Sequence, residues 1–333
     1  MARDSTRLLL VATGDTMAYK LDPSHAGIAT GAELLAAALP GGRPGLDITI
    51  EDRRQEPSWD TDGPTLLALA RRVRAALGEE LYDGVVVTHG LDTVAEAAFL
   101  ADLMLGAAAA RGAVVFTCAL RPFDAAEPDG PGSLAVAISA AADPRLRGAG
   151  VLVGTGDELH AARWVSVRDV TGEHPALSSW PRPPVARVVA GRVEELTDPP
   201  PRPPGPLGDP EWDVALVKTY PGMAAVVLGA LADAGVRGIV LAGTGVGNVP
   251  VSLLTTIGDL VSWDIPVVVA SDCRTGPVDV DALSPEQGMA FRVGAIPANG
   301  LAPAQARAAL MVALGGGGDG RNVATVRSYF AAR

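Results

Sequence analysis

The sequence predicts an α/β protein: a larger N-terminal domain on a mostly parallel sheet with helices on both faces, and a smaller C-terminal α/β domain. Three observations carry this expectation. Short apolar runs such as Val85-Val86-Val87 suit strands covered on both faces. They alternate with longer stretches of helical spacing, as the strand-helix units of a parallel sheet do. A proline-rich run then interrupts the alternation, which resumes beyond it on a smaller scale.

In chain order, residues 7–13 read as a buried first strand ending in the polar turn Gly14-Asp15-Thr16. Residues 17–30 lack periodicity and, with Pro23, Ser24, His25 and Gly27, read as a mobile loop before a helix at 32–39. The alternating Leu46-Asp47-Ile48-Thr49-Ile50 marks a strand. A loop with Pro57, Ser58, Trp59 and Asp60 leads to a helix at 65–77, where Leu66, Leu69, Val73 and Leu77 recur at helical steps. The valine strand runs into Thr88-His89-Gly90-Leu91-Asp92-Thr93. Thr93-Val94-Ala95-Glu96 has capping-box spacing for a helix across 94–110, and Asp92 just before it would be stabilised by the helix N-terminus. There follow a strand at 113–120, a loop with Asp124, Pro128, Asp129, Gly130 and Pro131, a helix at 133–142, a strand at 151–153 and a hairpin within 159–170.

Prolines cluster between 181 and 210, above all in Pro199-Pro200-Pro201-Arg202-Pro203-Pro204, where neither a helix nor an interior strand can continue. The expected division is an N-terminal domain at 1–190 carrying the Thr16 and Asp92 loops, a linker at 191–213, and a C-terminal domain at 214–333. The latter alternates strands at 214–219, 238–242 and 266–270 with helices at 223–234, from Pro250, at 303–314 and at 323–332. Gly315-Gly316-Gly317-Gly318 reads as a flexible connector.

Composition narrows the function classes. A chain of 333 residues can bury two cores, and with 48% hydrophobic but only 4% aromatic residues those cores are filled by Ala, Val and Leu. The formal charge of -11 argues against nucleic acid or an anionic membrane as the main partner and leaves a small molecule. The run Leu8-Leu9-Leu10-Val11-Ala12 is too short for a signal peptide, and no segment is expected to reach the apolar length of a membrane span. Cys118 and Cys273 lie in or beside apolar runs and read as reduced core or near-core thiols, which sets the expectation of a cytoplasmic protein. His25, His89, His160 and His174 lack close metal-ligand spacing, so no metal site is expected, and His89 reads as a structural hydrogen-bonding residue.

The turns after the first strand and after the valine strand share one pattern, a buried strand followed by a polar loop. In open α/β sheets ligands bind at such strand ends, although Asp92 and Thr93 could also merely cap a helix. Together, Ala12-Thr13-Gly14-Asp15-Thr16 and Thr88-His89-Gly90-Leu91-Asp92-Thr93 resemble the bacterial-type L-asparaginase and glutaminase family. The resemblance covers nearly the whole chain and includes Ser58, Leu120-Arg121-Pro122 with Asp129-Gly130-Pro131, Tyr220-Pro221-Gly222-Met223, and Gly243-Thr244-Gly245-Val246-Gly247-Asn248-Val249-Pro250. That last stretch has the wrong glycine spacing for a dinucleotide loop.

What the resemblance implies is an asparaginase-like amidohydrolase acting on L-asparagine or a related amino-acid-like carboxamide. It implies no cofactor and a homodimer or homotetramer. Thr16 matches the threonine that attacks the amide carbon, a hydroxyl that needs a base and nearby N–H donors for the oxyanion. Ser58 and Asp92 match positions that hold the substrate's α-carboxylate and α-amino group. Gly14, Asp15, Trp59, Gly90 and Leu91 belong to the same loops and are the further substrate-binding candidates. Asn248 matches a residue that reaches a neighbouring subunit's site; otherwise it is a turn residue before the helix begun by Pro250.

The chain departs from the family at the proton relay of threonine, lysine and aspartate. Leu91 stands at the relay threonine, Val167 at the lysine with Arg168 beside it, and only Asp92 is kept. Arginine stays protonated and cannot shuttle a proton, and no lysine exists between Lys20 and Lys218. Asp15 replaces a usual glycine; it would repel a substrate carboxylate, serve as a replacement base, or face solvent in a turn. Tyr19 and Lys20, close behind Thr16, are candidates for the loop residue that normally assists the nucleophile. Two other readings stay open: a catalytically inactive ligand-binding or regulatory homologue, and an enzyme of the same fold with changed acyl-transfer or imide chemistry in a specialised pathway.

Overall fold

The computed structural model describes residues 5–22, 27–53, 57–206, 208–273, 278–316 and 322–332. The chain divides into two compact units, Met1–Arg202 and Pro203–Arg333. In the first, β1 (Thr6–Ala12), β2 (Tyr19–Lys20), β3 (Gly27–Ile28), α1 (Gly31–Ala38), β4 (Leu46–Asp52), α2 (Gly63–Gly78), β5 (Gly84–Thr88), α3 (Val94–Leu105), β6 (Ala113–Thr117), α4 (Gly130–Ala141) and β7 (Val151–Thr155) follow one another. After them come the short strands β8 (Glu158–Ala161), β9 (Ser166–Val167), β10 (Leu177–Ser178), β11 (Ala186–Val189) and β12 (Arg192–Leu196).

The large sheet has the order β12-β11-β8-β7-β6-β5-β1-β4. From β4 to β7 it is parallel, and from β7 to β12 antiparallel. Parallel neighbours need crossovers, and the helices supply them. Because successive strand residues point to opposite faces, Leu8, Leu10, Val86 and Val115 share one core with Leu34 of α1 and with Leu134 and Ile138 of α4. On the other face α2 contacts β5, and α3 contacts β6 and β7. The three valines of β5 are at most 1% exposed, so each contributes about 1.5–3 kcal/mol of burial.

Several expectations need correction. Residues 17–30 are expected to form an irregular loop, yet Tyr19 pairs with Ile28 and Lys20 with Gly27 in an antiparallel ladder; Pro23, Ser24 and His25 lie outside the described residues. The span 191–213 is expected to be a linker, but Arg192–Leu196 is the edge strand of the large sheet. The prolines flank this hairpin instead of interrupting it, and Ala190 and Gly191 between β11 and β12 both have positive φ (48° and 75°), as a tight two-residue hairpin turn requires. The helix expected at 94–110 is α-helical over Val94–Leu105 and continues as a tighter 3-10 turn over Gly106–Ala110. Its capping box is not formed: the Thr93 side chain makes no cap hydrogen bond. The hairpin expected within 159–170 is built one step earlier, from β7 and β8, while β9 pairs with β10.

By length and composition Leu91–Ala110 is apolar enough to cross a membrane, contrary to the expectation that no segment is. Most of it is buried inside the unit, which is how a core helix arrives at the same composition. Cys118 is buried, whereas Cys273 is exposed rather than near-core, and both are free thiols.

The second unit contains β13 (Val214–Lys218), α5 (Val226–Asp233), β14 (Gly238–Gly243), α6 (Leu254–Ser262), β15 (Val267–Ser271), α7 (Met289–Arg292), β16 (Ile296–Pro297), α8 (Pro303–Ala313) and α9 (Val323–Ala331). Its sheet is a parallel β13-β14-β15-β16. Leu228, Ile239, Leu241, Ile257, Leu260 and Val267 form its core. Strand β16, only two residues long, carries no periodicity that a sequence reading could detect. Of the expected glycine connector, Gly317 and Gly318 lie outside the described residues.

Candidate active site

Strands β1 and β5 are direct neighbours, with Ala12 opposite Thr88, so the turn after β1 and the loop after β5 leave the sheet side by side. Thr13 fastens them together: its Oγ1 donates to the Thr88 carbonyl at 2.7 Å and its N–H to Thr88 Oγ1 at 3.2 Å. Both threonines are buried, so each would carry the cost of an unpaired polar group without the other.

Gly14 follows with φ 98°, and Asp15 with φ 67° and ψ -165°. That region belongs essentially to glycine and costs any other residue about 1–3 kcal/mol. The Asp15 side chain points inward and is 6% exposed, against the reading of a solvent-facing turn residue. Three donors converge on it. Its Oδ1 accepts from the Thr16 N–H at 2.6 Å and from Thr16 Oγ1 at 3.1 Å, and its Oδ2 accepts from the Ser58 N–H at 2.8 Å. A buried carboxylate would otherwise be costly; these charge-assisted bonds offset its desolvation.

Ser58 opens a 3-10 turn, Ser58–Asp60, and is itself buried. Thr93 Oγ1 donates to the Ser58 carbonyl at 2.9 Å, so its side chain ties the start of α3 to the Ser58 loop and accepts no N–H from the first turn. The Ser58 hydroxyl is buried without a hydrogen-bond partner. Gly90 lies over this contact. A Cβ placed on it would overlap Asp15 Oδ2 and Ser58 Oγ and would sit 2.5 Å from Asp15 Cγ. Gly90 itself has an ordinary φ of -70°, so close approach, not backbone freedom, makes glycine necessary there.

His89 is buried and shares a hydrogen bond at 3.0 Å between Nδ1 and the Gly90 carbonyl, while its Nε2 has no partner. Burial holds its pKa below the ordinary value, against a smaller upward pull from the Gly90 carbonyl and Asp15, so the ring is neutral at neutral pH. Leu91 is buried, and Asp92 beside it is exposed. Tyr19 is half-buried, and its phenol pKa is raised by burial first and then by the negative charges of Asp15 and Asp92. The phenol therefore stays a proton donor, and the Tyr19 backbone N–H donates to the Asp15 carbonyl at 3.1 Å.

The segment carrying Tyr19 is held from several sides. Its carbonyl accepts from Phe123 N–H at 2.9 Å, Ala29 N–H donates to Ala18 at 2.7 Å, and the Leu21 and Asp22 N–H groups donate to the Asp124 carboxylate at 2.7 and 2.9 Å. Lys20 is turned to other work: its Nζ pairs with Glu33 Oε1 at 2.7 Å. Of the remaining candidates, Trp59 is 62% exposed, Val167 lies in β9 opposite Leu177, and Arg168 is exposed. Asn248 belongs to the second unit, where its Oδ1 accepts from the Gly288 N–H at 2.9 Å and its backbone closes a turn with Thr244.

The structure thus brings Thr16, Asp15, Ser58, Gly90 and Tyr19 into one cluster of the first unit. Sequence reading did not find the Thr13–Thr88 and Thr93–Ser58 bonds, which join residues far apart in the chain and leave no local pattern. Chemically, the arrangement sets a hydroxyl against a carboxylate within hydrogen-bond reach, the relation a nucleophile needs to its proton acceptor.

Residues 7–201 match the family model for the N-terminal domain of asparaginase, and residues 213–330 that for the glutaminase/asparaginase C-terminal domain. A probable L-asparaginase of Deinococcus radiodurans is 32% identical over 96% of this chain and 96% of its own length. A glutaminase-asparaginase of Pseudomonas fluorescens is 29% identical over 92% of this chain and 86% of its own. Among solved structures, a probable cytoplasmic L-asparaginase from Campylobacter jejuni superposes with a TM-score of 0.81 at 27% identity, covering 98% of this chain and 99% of that one. Two domain matches in order and a relative aligned end to end leave one assignment: the chain belongs to the asparaginase family.

Proposed function

We propose that this protein is an amidohydrolase in which Thr16 Oγ1 attacks the carbon of an amino-acid-like carboxamide and Asp15 takes the hydroxyl proton. The observation that carries this reading is the 3.1 Å hydrogen bond from Thr16 Oγ1 to Asp15 Oδ1. In the first step the O–C bond forms and the C–N bond breaks; ammonia leaves with the proton that Asp15 accepted. Water then hydrolyses the resulting ester, giving its proton back through Asp15 and regenerating Thr16. Asp15 so takes over the duty of the relay that Leu91 and Val167 no longer supply. Asp92, exposed beside the cluster, holds the substrate's amino group. A cytoplasmic homodimer or homotetramer in which Asn248 serves a neighbouring subunit's site belongs to the same reading.

A second reading, a ligand-binding homologue without turnover, is favoured by one observation: Leu91, which the resemblance aligns with the relay threonine, is apolar and buried. Ammonia release from asparagine, glutamine and a panel of carboxamides separates the two. Turnover is expected for some member of the panel, reduced at least ~10³-fold by Thr16→Ala and about 10²- to 10⁴-fold by Asp15→Asn. Turnover that survives Thr16→Ala refutes the nucleophile. Ligand-induced stabilisation without turnover on any amide establishes the second reading instead.

A further inference from the structure

The Asp15 carboxylate is gripped as a bound anion would be. Two backbone N–H groups from separate loops, those of Thr16 and Ser58, each donate to one of its oxygens, and the Thr16 hydroxyl donates as well. The Ser58 hydroxyl stands over the same place, buried and without a partner, although the Ser58 N–H beside it is engaged by Asp15. The cradle is closed above by Gly90, whose missing Cβ is what leaves room for Asp15 Oδ2 and Ser58 Oγ. A cradle of this kind, with two backbone donors and one hydroxyl preset by the fold, accepts one carboxylate.

We infer that Asp15 is a specificity residue: its carboxylate occupies the anion cradle of Thr16 and Ser58 from within the chain, so that the site takes amine-bearing carboxamides lacking a free α-carboxylate. A substrate carboxylate would have to displace Asp15 from three hydrogen bonds and then lie against its charge, with Asp92 adding a second negative charge to the same surroundings. An ammonium group meets the opposite field. Lys20 cannot neutralise the extra anion, because its Nζ is committed to Glu33. The substrate class is therefore a cationic amino carboxamide whose carboxyl is amidated, esterified or peptide-bonded, instead of a free zwitterionic amino acid. The inference rests on the amidohydrolase reading only in taking the surroundings of Thr16 as the ligand site.

Binding, not turnover, tests it, because Asp15 also acts on the Thr16 proton. In the Thr16→Ala background, where no ligand is consumed, the affinities of L-asparaginamide and L-asparagine are measured by calorimetry. L-asparaginamide is expected to bind at least about tenfold more tightly. Adding Asp15→Gly, which suits the positive φ and empties the cradle, should reverse the order in favour of L-asparagine. Asp15→Asn, which keeps the shape and removes the charge, should narrow the gap. Equal or tighter binding of L-asparagine with Asp15 in place overturns the inference. So does an order unchanged by Asp15→Gly, or the absence of binding by either ligand to both proteins. If the reversal is seen while the unmodified chain releases no ammonia from any amide, the specificity assignment stands and the hydrolase reading alone fails.

Discussion

Replacing Gly90 by alanine is the most direct probe of the Asp15 cradle. At φ -70° and ψ 143° the backbone of Gly90 accepts alanine without strain, so any penalty is steric. The new methyl would overlap Asp15 Oδ2 and Ser58 Oγ, and Asp15 Cγ at 2.5 Å would have to move. Overpacking of this size costs typically about 1–3 kcal/mol. Pushing Asp15 aside also gives up its bond from the Ser58 N–H, a charge-assisted one worth about 1.5–3 kcal/mol. The two losses overlap, because relief of the clash is what breaks the bond, so a total of about 2–4 kcal/mol is expected. The control is the same substitution in Asp15→Gly. There the carboxylate is absent, the Ser58 hydroxyl can rotate away, and the cost should fall below about 1 kcal/mol. Calorimetric melting of the four proteins measures this cycle. For a unit of about 200 residues each kcal/mol moves the midpoint by roughly 2–4 °C, so Gly90→Ala should lower it by about 4–16 °C with Asp15 present and by less than about 4 °C without it. Equal shifts in the two backgrounds would mean that Asp15 does not lie under Gly90, and the cradle would be refuted with it.

Two further predictions concern the surroundings of the site. Glu33 is held at a pKa of about 2, below the ordinary 4.5, chiefly by its hydrogen bond from Lys20 and then by those from the Thr30 backbone and hydroxyl. Its contribution to stability is therefore complete above 4.5 and lost as pH falls toward about 2. Carbon NMR of the Glu33 carboxyl should show this low titration, and Glu33→Gln should flatten the acid limb of the melting curve; a carboxyl titrating at 4.5 would contradict it. Arg202→Met should cost about 2–3 kcal/mol, less than for a fully buried pair because Arg202 is 29% exposed. It leaves the Asp102 carboxylate, in a residue 5% exposed, with the Val151 N–H at 2.8 Å as its remaining hydrogen-bond donor among the described residues. A second change, Asp102→Asn, should recover part of the loss, and an unaltered midpoint in the single variant would show that the pair carries no stability.

The parts of the fold legible in the sequence were those with a period or an abrupt composition change. Val85-Val86-Val87 and Leu8-Leu9-Leu10-Val11 announced central parallel strands because burial on both faces demands unbroken apolar residues. The hairpin of β11 and β12 was hidden by the prolines on either side of it, although Ala190-Gly191 is the turn that makes it. At the site, Thr16 and Ser58 were visible as loop residues after or before periodic segments. The inward orientation of Asp15 was not, since a turn aspartate ordinarily faces water and its three donors come from an adjacent residue and from a loop 43 residues away. Thr93 is similar: its spacing to Glu96 fits a cap, but its hydroxyl donates to the distant Ser58 carbonyl and accepts no N–H from the first turn.

The bonds that fix residues 18–22 to Phe123, Asp124 and Ala29 bear on the kinetics of any ligand that enters. Ordering one residue's backbone costs about 1–2 kcal/mol. For Tyr19 and its neighbours that cost was met when the chain folded, so a ligand meets this backbone segment already in place. Association would then follow a single phase whose rate rises linearly with ligand concentration, without the plateau that a closing step around Tyr19 would impose.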